Sequence, residues 1–197
     1  MSVIRAFIAI DLSPEIQRRL DQVMKQLQQR LDKVPVRWVP VENIHLTLKF
    51  LGDVSLANVE VLKKILQAEV HGHAAFEISA GDLGAFPSVR RPRVIWVGVK
   101  APLELNQIQH SIEMETARLG YAQEEREFSP HLTLGRVSRA ANPRHVDQIS
   151  AALAACRVGF LGVTRVQNVR LYRSDLNPNG AVYTPLFSAA LNQVPEQ

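Results

Sequence analysis

Two copies of one tetrapeptide, His45-Leu46-Thr47-Leu48 and His131-Leu132-Thr133-Leu134, stand 86 residues apart in this 197-residue chain. A given tetrapeptide of these residues recurs by chance in on the order of a few chains per thousand of this length. Both copies lie in runs with strand character. Side chains alternate along a strand, so the His and Thr of each copy share one face and the two leucines the other. The leucines can enter a core while an imidazole and a hydroxyl stay together on an accessible surface. If an approximate twofold axis relates the copies, two His-x-Thr pairs confront each other.

That constellation suits hydrolysis of a phosphodiester. A neutral imidazole takes a proton from water and a protonated one delivers a proton to the departing oxygen, both near neutral pH. The threonine hydroxyls and nearby backbone N–H groups hold the non-bridging oxygens. A singly charged diester needs no metal if these donors and an arginine stabilise the developing charge. One copy alone would read as an ordinary strand histidine, and the duplication carries the inference. Two histidines can also be metal ligands. No carboxylate or third histidine stands at the spacing that completes such a site, so no metal and no cofactor is expected.

The elements that must position these residues are legible from periodicity. Val3 to Asp11 reads as a strand, and Ser13-Pro14 supplies an N-cap and a first-turn proline. Ile16, Leu20, Val23, Met24, Leu27 and Leu31 recur at helical spacing. A short extended piece holds Trp38 between Pro35 and Pro40, and Ile44 to Leu51 reads as a strand closed by Gly52-Asp53. Asn58 to His71 reads as a helix capped by Gly72, followed by strands at Phe76 to Leu83 and Arg93 to Val99 around a loop from Gly84 to Pro92. The second half repeats the plan loosely. Helices are expected at Leu103 to Leu119 and Pro143 to Ala155, with strands within Phe128 to Val137, Arg157 to Val163, Val166 to Arg173 and Ala181 to Ala190. No linker or composition shift separates the halves, so one α+β unit of two similar lobes is expected.

Composition narrows the setting. With 46% hydrophobic and 21% charged residues the chain is an ordinary globular one and not a disordered one. Its one cysteine, Cys156, rules out an internal disulfide or a multi-cysteine metal cluster, which suits a reducing compartment. No run approaches the roughly 18 apolar residues of a membrane span. A cytoplasmic location without membrane contact is the expectation. The net charge is +4, and most of the 23 basic residues are arginine, whose planar fork suits phosphate.

These residues resemble the two-histidine (2H) phosphoesterase superfamily, defined by paired His-x-Thr/Ser-x motifs. Within it they are most similar to the bacterial and archaeal RNA 2′,3′-cyclic phosphodiesterases, also called 2′–5′ RNA ligases. The likeness runs from Arg5-Ala6-Phe7-Ile8-Ala9-Ile10-Asp11 through Trp38 and His45-Leu46-Thr47-Leu48-Lys49-Phe50-Leu51-Gly52. It continues through Arg93-Val94-Ile95-Trp96-Val97-Gly98 to Pro130-His131-Leu132-Thr133-Leu134-Gly135-Arg136.

The resemblance implies a single bilobal unit over residues 1–197, α+β with a pseudo-twofold, each lobe an antiparallel sheet backed by helices around a central cleft. It implies metal-independent hydrolysis of an RNA 2′,3′-cyclic phosphate to a 2′-phosphomonoester, with reverse 2′–5′ ligation at the same site. On the matching positions His45 is the proton donor, His131 the proton acceptor, and Thr47, Thr133 and Arg136 bind substrate. The implied partner is RNA bearing 2′,3′-cyclic phosphate ends, acted on by a monomer with no obligate protein partner. The donor and acceptor labels come from the resemblance alone, since the repeat makes the histidines interchangeable. Two other readings stand beside this one: the same chemistry on small cyclic nucleotides or ADP-ribose cyclic phosphate, or a nucleotide-binding protein without turnover. Binding alone requires no acid and base, which argues against the last.

Several residues have two readings. Arg136 is at an odd offset from His131, so a regular strand turns it to the opposite face, whereas a bulge at Gly135 would re-aim it. Lys49 shares the parity of His45 and Thr47 and reads as a solvated strand-end lysine. Arg90, Arg91 and Arg93 crowd a proline-flanked loop that can reach RNA phosphates if it overhangs the cleft. Phe7, Trp38 and Trp96 are stacking candidates, with Trp96 favoured as core.

Overall fold

In the computed structural model, which describes residues 3–178 and 180–192, nine strands form two antiparallel sheets and four helices pack against them. The first sheet runs β3 (Leu46–Ser55), β1 (Val3–Ile10), β8 (Asn168–Asn177), β9 (Gly180–Ala190). The second runs β2 (Val36–Trp38), β6 (His131–Val137), β5 (Val94–Lys100), β4 (Phe76–Phe86), β7 (Gly162–Val166). Apart from β2, the two orders correspond strand for strand. β3-β1-β8-β9 matches β6-β5-β4-β7, an approximate twofold that relates the two motif strands.

The lobes are not the two halves of the sequence. Helix α1 (Pro14–Arg30) leaves the first sheet and packs with α4 (Pro143–Ala155) behind the second, touching β7. Helix α3 (Leu103–Arg118) leaves the second sheet and joins α2 (Leu56–His71) behind the first, against β3. The helices form as their sequences demand. Ser13 accepts from the Ile16 N–H at the start of α1, and Ile16, Leu20, Val23, Met24 and Leu27 make its buried stripe. Ser55 caps α2 in the same way. Leucine, isoleucine and valine from both sheets join one continuous buried cluster that includes Ile8, Ile10, Leu46, Leu48, Ile95, Val97, Leu132 and Leu134. Among the described residues no helix is long and apolar enough to cross a membrane.

Several expected boundaries move, three of them for a legible reason. Gly52-Asp53 does not close β3: Gly52 takes φ +69° inside the strand, beside a register slip, and Asp53, Val54 and Ser55 go on to pair with Arg5, Ile4 and Val3. Glycine here makes a bulge where a turn was expected. β4 runs on to Phe86 because Gly84, Ala85 and Phe86 find partners in Trp96, Ile95 and Val94, which shortens the following loop. β7 begins at Gly162 (φ +130°), since its extent is set by pairing with Phe76 to Ala80 rather than by its own apolar run.

Candidate active site

Each imidazole is anchored in the same way. His45 Nδ1 donates to the carbonyl of Asn43 at 3.0 Å, and His131 Nδ1 to that of Ser129 at 2.7 Å. A carbonyl only accepts, so Nδ1 carries a proton in both rings and Nε2 is the atom left to exchange one. Thr47 lies opposite Ala9 and Thr133 opposite Trp96, so each threonine stands on its sheet's face away from the leucines, and both are partly buried. β3 and β6 are in contact, which brings the two motif strands together.

Both strands carry a bulge at the last leucine of the motif. In β6 the register passes from Thr133↔Trp96 to Gly135↔Ile95, leaving Leu134 as the extra residue. In β3 it passes from Thr47↔Ala9 to Lys49↔Ile8, leaving Leu48 extra. Each bulge inverts the parity of the residues beyond it. Arg136, opposite Val94, therefore joins the face of Thr133 and Trp96, and its guanidinium is near enough to act on His131. Gly135 stands under Val36 and Trp38, where a Cβ would approach to 2.9 Å. That contact makes Trp38 a cover for β6, packed on the core.

Lys49 corrects the expectation of a solvated side chain. The bulge swings it to the helix side, where it is buried, pairs with Glu113 and donates to the Ala122 carbonyl. Trp96, expected in the core, lies instead on the face opposite Ile95 and Val97. Its ring lies over Gly84, where a Cβ would sit 2.3 Å away, and packs 5.1 Å from Phe86. Phe86 in turn meets His131 edge-on at 4.8 Å. The Arg90–Arg93 loop sits at the Val137 end of β6, where the Val137 N–H donates to the Arg93 carbonyl. Ser150 of α4 donates to the Val89 carbonyl, and Arg90, Arg91, Arg93, Val137 and Val146 line a cavity of about 230 Å³.

The surroundings of His45 contain groups that spacing did not reveal. Asp11 Oδ1 is 3.5 Å from His45 Nε2, while Tyr172 donates to that same oxygen at 2.5 Å and Arg170 Nη1 meets Oδ2 at 2.5 Å. Burial, then the hydrogen bond to Asp11, push the Tyr172 phenol up to about 12, so it stays a donor. Phe7, Tyr172 and Tyr183 wall the ring at centroid distances of 6.2, 5.0 and 5.7 Å. Cross-strand pairing of Ala9 with Arg170 and of Phe7 with Tyr172 assembles this group, and neither pair is local in sequence.

Burial holds both imidazoles below the ordinary histidine range, and it is the largest influence on each. The charged neighbours differ. Asp11 favours the cationic form of His45, against Arg170, whereas Arg136 disfavours a cationic His131. Among the described residues no three His, Cys, Asp or Glu side chains group as around a metal ion.

Two antiparallel lobes related by an approximate twofold, each presenting one His-x-Thr on the face away from its motif leucines, define the two-histidine phosphoesterase class. The chain belongs to the LigT like Phosphoesterase family, whose sequence model matches residues 10–96 and again 97–183. It is 34% identical to the RNA 2′,3′-cyclic phosphodiesterase of Methanothermobacter thermautotrophicus, over 93% of this chain and 96% of that one. It is 32% identical to the protein of the same name from Escherichia coli K12, over 96% and 97%. The crystal structure of Escherichia coli LigT complexed with 3′-AMP superposes with a TM-score of 0.75 at 28% identity, covering 98% of this chain and 100% of that one.

Proposed function

We propose that this protein is an RNA 2′,3′-cyclic phosphodiesterase that needs no metal, with His45 as general acid and His131 as general base. Water attacks phosphorus and gives a proton to His131 Nε2. The bond from phosphorus to the 3′-oxygen breaks, that oxygen takes the proton of His45 Nε2, and a 2′-phosphomonoester remains. Thr47, Thr133 and Arg136 hold the non-bridging oxygens as charge builds. A 5′-hydroxyl in place of water yields a 2′–5′ linkage at the same site without a nucleotide cofactor.

The matched anchoring of two imidazoles with oppositely charged neighbours carries this reading. The carboxylate beside His45 favours its protonated form, against Arg170, and the guanidinium near His131 disfavours a proton there. The full-length likeness to relatives named for this activity supports the substrate. Both motifs come from one chain, so we take residues 1–197 as one bilobal unit acting as a monomer in the cytoplasm.

The test is turnover of a nucleoside 2′,3′-cyclic phosphate in excess EDTA, with the product identified as the 2′-monophosphate. Activity lost to the chelator, or a 3′-monophosphate product, overturns it.

The charge assignment has its own test. Activity requires His131 neutral and His45 protonated, so kcat/KM rises as His131 deprotonates and falls as His45 does. Asp11→Asn removes the anion that supports cationic His45 and leaves Arg170 unpaired. Its alkaline limb is expected at lower pH than in the wild type, with the acid limb in place. An unmoved alkaline limb in the pH profile of kcat/KM would falsify His45 as the acid.

A further inference from the structure

Arg136 has a second arginine beside it on the His131 face of its sheet. Strand β2 places Arg37 directly opposite Arg136, and Trp38 opposite Gly135. Residues paired across two strands share a face, so Arg37 stands next to Arg136 on the side of Thr133 and His131. Alternation agrees, because its neighbours Val36 and Trp38 pack on the core. Both arginines are exposed, and among the described residues neither pairs with a carboxylate.

Among the described strands β2 alone lacks a counterpart under the pseudo-twofold. It is three residues long and fixed at both ends. The Val39 N–H donates to the Leu134 carbonyl at 2.9 Å, and the Ser138 N–H to the Pro35 carbonyl at 2.8 Å. What this short strand adds to the face of Thr133 is the Arg37 side chain. One charge is enough to guard a sheet edge against stray pairing. Like charges directly opposite each other repel, so the Arg37 and Arg136 pair is unfavourable until an anion lies against it.

We infer that Arg37 is a substrate-binding residue that holds the phosphodiester joining the terminal nucleotide to the rest of an RNA chain. The inference rests on the function proposed above and sharpens the substrate class: an RNA end in preference to a free cyclic nucleotide. Arg136 meets the cyclic phosphate, and Arg37 stands one strand farther from His131, about 5 Å outward. Two guanidinium forks on long stems at that offset suit successive phosphates of one strand, a single nucleotide apart. A cyclic mononucleotide has no second phosphate and gains nothing from Arg37.

The experiment follows three substrates with wild type, Arg37→Gln and Arg37→Lys. They are adenosine 2′,3′-cyclic phosphate, adenylyl-adenosine 2′,3′-cyclic phosphate, and that dinucleotide with an uncharged methylphosphonate linkage. In Arg37→Gln, kcat/KM for the charged dinucleotide is expected to fall about tenfold, through KM, while the mononucleotide is unaffected. Wild type is expected to lose as much on the methylphosphonate, and Arg37→Gln to lose nothing further there. Arg37→Lys keeps the charge and retains most of the dinucleotide preference. Substitution at so exposed a site leaves the fold intact, which a thermal melt checks. Equal losses on all three substrates, or none on any, overturn the subsite while leaving the phosphodiesterase standing. A dinucleotide loss that persists on the methylphosphonate also overturns it, because the contact is then with the second nucleoside. If the wild type turns over none of the three, the function proposed above fails. Titration of adenylyl-adenosine 2′-phosphate against adenosine 2′-phosphate then decides the subsite: equal affinities for wild type and Arg37→Gln reject it, and a loss confined to the dinucleotide upholds it.

Discussion

Alanine at His45 or at His131 is expected to lower kcat/KM for a nucleoside 2′,3′-cyclic phosphate by about a hundredfold to ten-thousandfold. Each ring's Nδ1 donates to a backbone carbonyl two residues upstream and neither ring takes part in a strand ladder, so truncation removes the proton-transfer atom without breaking a sheet contact. The two losses separate when the leaving group changes. A 3′-alkoxide must be protonated as it departs, whereas p-nitrophenolate departs without help. On the p-nitrophenyl ester of a nucleoside 2′-phosphate, His45→Ala therefore recovers most of its loss, and His131→Ala, still lacking the base, does not. Equal losses on the two substrates would remove His45 from the acid role, and a loss below about tenfold at either residue would remove the paired mechanism.

The second large effect is on stability. The Lys49 and Glu113 side chains are only 4% and 11% exposed. Glu113 also accepts from the Glu124 N–H at 2.9 Å and from Gln109 at 3.4 Å, so the pair ties β3 and α3 to the segment leading toward His131. Lys49→Met leaves a buried carboxylate without its cation. Breaking such a pair from one side costs about 3 to 5 kcal/mol, whereas replacing both partners with apolar groups is close to neutral. For a chain of this size the single variant should melt on the order of 10 °C lower, and Lys49→Met with Glu113→Leu should regain most of that. Thermal unfolding followed by circular dichroism decides it. A single variant within about 1 kcal/mol of wild type, or a double variant no better than the single, would show that the pair does not hold the lobe together.

Lys49 also marks where reading the sequence stops working. Strand parity from His45 puts it on the solvent face, and it is buried because one extra residue, Leu48, inverts the alternation. The matching bulge at Leu134 resolves the two readings of Arg136, bringing it to the face of His131. Gly135 hinted at that bulge, since glycine tolerates the close approach of Val36 and Trp38. Nothing local marked the bulge at Leu48.

Periodicity alone sufficed for the helices, the Ser13 cap and the placing of each His-x-Thr pair opposite its leucines. These features depend on residues two to four apart, whose relative directions the backbone geometry dictates. The repeated tetrapeptide likewise announced paired lobes before any contact was known. The exchange of helices between lobes, the run of β3 past Gly52 and the gathering of Asp11, Arg170 and Tyr172 around His45 were decided only on folding. Those contacts join residues up to 161 apart. They depend on which strands share a ladder and where a ladder skips a residue, and burial of two lobes into one core settles that jointly rather than segment by segment.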